Sequence, residues 1–196
     1  MSQTTIKEKP ILFTADMVRK ILAGEKTQTR REVKAPASWI TEFGFTTFTP
    51  LGYISGRGFN KEYGPSEKFY KSPHGWIGDQ LYVREGFSAR TAHSCGESGC
   101  ECGDFWIYYA AGGKEWFSES DIRVQDWSFD SGRSYPSIHM PRWASRIQLE
   151  ITNVRVERMQ EGGDREFWGE NNWKRNPWVW VYDFKVLRKS ADNNYD

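Results

Sequence analysis

The longest regular pattern in this chain is a period-two alternation in segment 141–158, PRWASRIQLEITNVRVER. Ile147, Leu149 and Ile151, continued by Val154 and Val156, alternate with polar neighbours, so one face of a strand turns to a core and the other to water. Asn153 marks a bulge or bend in that run. Further strand-length runs follow the same rule: GDQLYVREGF (78–87), opened by a Gly-Asp turn, DFWIYYA (104–110) and PWVWVYDFKVL (177–187). Helix signals are sparse. TADMVRKILAG (14–24) is the clear one, with Thr14 as N-cap, Asp16 in the first turn, Met17, Val18, Ile21 and Leu22 on one face, and Gly24 as the stop. Several strands with one or two short helices predict an α+β chain built as a small mixed β-barrel.

At 196 residues the chain fits one domain over 1–196. Segments 34–76 and 88–135 are expected as loop or hairpin insertions, and residues 112–135 as loop. The stretch QEGGDREFWGENNWKRN (160–176) reads as polar. Segment 34–76 is rich in Phe and Tyr, too aromatic to be a solvated linker. The formal net charge is only +1, which excludes a general polyanion coat but allows a local basic pocket. No stretch reaches the roughly 18 apolar residues of a membrane helix, and MSQTTIKEKP has no signal-peptide core. A cytoplasmic location with no membrane partner is expected. The three cysteines, Cys95, Cys100 and Cys102, form an odd cluster rather than a secreted disulfide framework.

The segment KTQTRREV (26–33) follows the helix and its Gly24 turn. As a strand it sends Lys26, Gln28 and Arg30 one way, and Thr27, Thr29 and Arg31 the other. A helix followed by G-x-K-T-x-T-x-R (Gly24, Lys26, Thr27, Thr29, Arg31), the Gly78-Asp79 turn and the apolar terminal strand together resemble the ASCH domain family. The runs GDQLYVREGF, PSIHMPRWASRI, LEITNVRVERMQ and NPWVWVYDFKVL are similar to ASCH proteins of phages and prophages. The resemblance implies a PUA-like barrel and RNA or a modified nucleoside as partner. It also implies one of two activities known among relatives: amide hydrolysis of N4-acetylcytidine, or ribonuclease action. A Lys and a Thr of the motif carry the amidohydrolase chemistry, which falls here on Lys26 and Thr29. A later helical Glu completes it, with Glu161, Glu166 and Glu170 as candidates.

Amide hydrolysis needs an activated nucleophile, a proton shuttle and an oxyanion donor. The Thr29 hydroxyl needs a base, and Lys26 serves only if burial or the nearby Arg30 and Arg31 lower its pKa. Glu85 and Glu161 are the proton-holding candidates. Glu85 has a plainer alternative as the ion-pair partner of Arg31. The candidate ligand contacts are Arg31, Asp79, Arg84, Ser137, His139, Arg142, Trp143 and Arg146. In PSIHMPRW, Arg142 suits a phosphate and Trp143 either a nucleobase or the core. Trp178 and Trp180 pose the same choice. His93, Cys95, Cys100 and Cys102 together offer donors for a structural zinc, though without the usual CxxC pairs. The chemistry itself calls for no cofactor.

Overall fold

The computed structural model describes residues 6–34, 39–40, 45–48, 53–60, 64–91, 104–118, 128–163 and 165–189. Among these the chain is α+β and mostly strand. In order the elements are β1 (Glu8–Leu12), α1 (Ala15–Leu22), β2 (Gln28–Glu32), β3 (Trp39–Ile40), β4 (Phe45–Phe48), β5 (Tyr53–Asn60), β6 (Gly64–Lys71), β7 (Gln80–Arg84), β8 (Phe87–Thr91), β9 (Phe105–Tyr109), β10 (Lys114–Phe117), β11 (Ser134–Tyr135), β12 (Ile147–Arg158), α2 (Arg165–Arg175) and β13 (Trp178–Lys189). They divide into two compact units. One comprises 1–7, 27–80 and 150–185, and the other 8–26, 81–149 and 186–196. No closed barrel forms among the described residues. Nor is any described helix long and apolar enough to cross a membrane.

In the second unit α1 begins as the sequence predicts. The Thr14 hydroxyl accepts the Met17 N–H at 3.4 Å from an extended backbone, Val18 and Ile21 are buried, and Gly24 takes φ 78° beyond the last turn. The four-stranded antiparallel sheet runs β10-β9-β8-β11. Its inward residues Phe87, Ala89, Phe105, Ile107, Tyr109 and Phe117 form a core with Met140 and Ala144. Burying Phe105 and Ile107 contributes about 1.5–3 kcal/mol each. Trp143 joins them edge-on, 5.0 Å from Phe117 and 6.0 Å from Phe105, so the core reading of this indole holds.

Within 88–135, expected as a loop or hairpin insertion, β8 to β11 form a sheet, and the loop expected over 112–135 is corrected at β10 and β11. A tight turn at Gly112 and Gly113, with φ 101° and 83°, folds β10 back on β9, and Tyr109 N–H reaches the Gly113 carbonyl at 3.1 Å. A four-residue strand such as KEWF is too short for its alternation to stand out from loop.

In the first unit the expected hairpins of 34–76 form around β5 and β6, paired from Tyr53↔Lys71 to Asn60↔Gly64. The rest of β12, β13 and β2 follow one another in hydrogen-bonding order. Val179, Val181 and Met159 pack with Trp168. The polar stretch after β12 is a helix, α2. Gly169 interrupts it at φ 72°, and among its described side chains Trp168 is the one that packs on the core. With so little apolar periodicity, the helix was not visible in the sequence.

Candidate functional site

The register of β13 on β2 builds the site. Tyr182 lies opposite Thr29 and Trp180 opposite Arg31, so these four share one face. Gln28 and Arg30 face the other way, opposite Asp183 and Val181. There Gln28 binds Asp183 at 2.6 Å and Arg30 pairs with Glu157 at 2.8 Å. The strand parity read from the sequence over 28–31 therefore holds. Trp180 is 2% exposed and Thr29 2%, which makes Trp180 a packing residue rather than an open stacking platform. Trp178 is partly exposed, with the Arg158 guanidinium 4.2 Å over its ring.

The loop after β6 completes the cluster with residues the sequence reading missed. The Ser72 hydroxyl lies 2.9 Å from that of Tyr182 and donates its own proton to the Gly75 carbonyl. Tyr182 must therefore donate to Ser72, and the backbone N–H of His74 donates to Tyr182. The His74 ring stands edge-on to Tyr182 at 5.5 Å. Burial pushes the Tyr182 hydroxyl up to about 12, opposed by the His74 amide and the Arg31 charge. Burial also lowers the pKa of Arg31, against the influence of Tyr182. Tyr182 follows the W-V-W-V-Y alternation and so shared a face with Trp180 in the sequence. Ser72 and His74 read only as a turn around Pro73.

Asp79, expected as a ligand contact, holds this loop in shape. One carboxylate oxygen accepts Trp76 N–H at 2.9 Å and the other Lys7 N–H at 3.1 Å. Gly75 sits at φ 107°, and a Cβ there would come within 2.7 Å of the same carboxylate. The predicted Gly78-Asp79 turn is thus real, and its Asp is used on backbone. Glu161 is exposed, and its carboxylate accepts the Arg158 N–H at 3.0 Å.

The other predicted residues belong to the second unit. Lys26 is half-buried after the Gly24 turn, with its ammonium 5.9 Å from the Phe13 ring centroid. Glu85, 1% exposed, is gripped by Arg146 at 2.9 and 3.3 Å and by Ala111 N–H at 3.3 Å. Burial raises its pKa, opposed by Arg146. The Arg146 guanidinium also lies 4.1 Å over the Tyr109 ring. Arg142 forms a two-pronged pair with Glu8, sits 5.0 Å over Tyr82 and lowers the pKa of Glu8. Arg84 donates to the Ile138 carbonyl. Ser137 and His139 bound a single 3-10 turn, with Ser137 half-buried and His139 exposed.

His93, Cys95, Cys100 and Cys102 lie outside the described residues, among which no group of three His, Cys, Asp or Glu side chains is placed to hold a metal. No family model matches the chain, and no curated protein or solved structure does either.

Proposed function

We propose that the chain is an RNA- or nucleoside-binding protein of the ASCH type, with a PUA-like fold, that holds its ligand at the β2–β13 cluster without hydrolysing it. The odd, clustered cysteines support a reducing cytoplasmic setting. One observation carries the choice of binding over hydrolysis: the proton-holding carboxylates are committed elsewhere, Glu85 to Arg146 and Glu161 to the Arg158 amide. Thr29 is moreover buried, which is poor access for a nucleophile. Arg31 is only half-buried and offers a guanidinium suited to a phosphate, while the buried Ser72 and Tyr182 hydroxyls beside it are spent on each other and on the Gly75 carbonyl.

The hydrolase reading keeps one point in its favour. Helix α2 exists and carries Glu166 and Glu170, where the resemblance asks for a helical Glu. Glu170 is already engaged by Arg165 at 2.7 Å and Lys174 at 3.4 Å.

The test is a titration with cytidine monophosphate and cytidine, followed by tryptophan fluorescence. Arg31→Ala is expected to weaken monophosphate binding by about 10- to 100-fold, the effect of losing one charge-assisted contact, with the melting temperature little changed. Equal binding by the variant and the native protein would overturn the assignment of Arg31.

A further inference from the structure

The β10-β9-β8-β11 sheet has two unlike faces. One is the core of the second unit. The other presents Trp106 and Tyr108 from β9, Lys114 and Trp116 from β10, and Arg90 from β8. The register sets them in two rows across the strands. Arg90, Trp106 and Trp116 lie side by side, as do Ser88, Tyr108 and Lys114. The cations sit diagonally on the rings, Lys114 Nζ 4.5 Å from the Trp106 centroid and Arg90 Cζ 5.1 Å from that of Tyr108. Trp116 keeps 49% of its surface exposed, and Arg90 is exposed as well.

Single exposed aromatics are ordinary, but three adjoining rings interleaved with two cations are a composed surface. Among the described residues, charge on this face is biased to the positive. Glu115, between Lys114 and Trp116, pairs in register with the core residue Ile107 and so turns to the opposite face. Asp104, just before β9, accepts a hydrogen bond from Ser118 at 3.0 Å.

We infer that this sheet face is a platform for single-stranded nucleic acid, separate from the β2–β13 cluster. Flat rings accept a base of any sequence by stacking, and cations alongside them meet the phosphates. Arg90 and Lys114 rest on the rings in the free protein and turn to the backbone of a bound strand. A duplex keeps its bases stacked inside and offers the rings nothing.

The experiment is fluorescence anisotropy with a labelled oligouridylate of about 12 nucleotides, within the span such surfaces cover. Oligothymidylate and an RNA duplex run beside it. The native protein is expected to bind the single strands with quenching of tryptophan emission and to bind the duplex far more weakly. Trp116→Ala weakens binding about tenfold or more. Arg90→Ala with Lys114→Ala lowers the slope of log affinity on log salt by about 1.4, roughly 0.7 per lost phosphate contact. These three side chains lie on the outer face, and melting curves verify that the variants fold. Equal binding of both oligonucleotides, or preference for one, supports the platform and names its range. Trp116→Ala retains cytidine monophosphate binding, so failure of the platform and failure at the β2–β13 cluster are read separately. The inference is overturned by any of three results: no single-strand binding, binding unchanged in Trp116→Ala, or self-association lost in Trp116→Ala, which would assign the face to a second copy of the chain.

Discussion

Replacing Arg146 with Met is expected to cost about 3–5 kcal/mol of stability, a fall of roughly 10 °C in melting temperature. The reason is what it leaves behind. Glu85 is 1% exposed, and a buried carboxylate without its guanidinium keeps the desolvation cost and loses the compensating attraction. The cation over Tyr109 is lost too. Replacing both partners, Glu85→Gln with Arg146→Met, is expected to recover most of the loss, because the charge and its cost disappear together.

The same pair predicts a pH dependence of definite sign. Burial raises the folded-state pKa of Glu85 above its ordinary 4.5, against the influence of Arg146. A raised carboxyl contributes stability that is fully present below the unfolded value and is lost as pH rises through the folded one. Without Arg146 that folded value climbs further. The deficit of Arg146→Met is therefore largest near neutrality and shrinks toward pH 4.5. Melting curves from about pH 4.5 to 8 check it; a deficit that stays constant with pH would contradict the assignment.

Replacing Asp79 with Ala is expected to cost about 2–3 kcal/mol, because two hydrogen bonds from backbone amides to a charged acceptor are lost together. Those bonds, from Trp76 and Lys7, shape the loop that carries Ser72 and His74 to Tyr182. Stability and cytidine monophosphate binding should fall together. A fall in binding with an unchanged melting temperature would instead return Asp79 to the role of ligand contact. Calorimetry and the fluorescence titration on the same preparation distinguish the two.

What the sequence disclosed follows from how local each feature is. The parity that puts Thr29 with Arg31 and Tyr182 with Trp180 is a property of any strand, and the cap at Thr14 is a property of one turn. Both were legible. The pairing of Glu85 with Arg146, 61 positions apart, and of Arg142 with Glu8, 134 apart, depends on which strands become neighbours. No local pattern carries that, so Glu85, Arg142 and Arg146 read as site candidates with no sign of the ion pairs they form. Helix α2 was hidden by its polar composition and Gly169. Of the β8–β11 sheet, β9 was legible as the DFWIYYA run, and β10 and β11 were hidden because they are too short for alternation to show. The Ser72–Tyr182–His74 contacts were hidden because a Pro-Gly turn shows where the chain bends and not what it touches.

Binding without hydrolysis at the β2–β13 cluster is tested most directly by incubating N4-acetylcytidine with an equal concentration of the protein and following cytidine and acetate release by chromatography, beside a Lys26→Ala control. The account predicts that the nucleoside remains intact in both samples while equilibrium dialysis shows it bound to the native protein. Acetate release that is lost in Lys26→Ala would contradict it and restore the hydrolase.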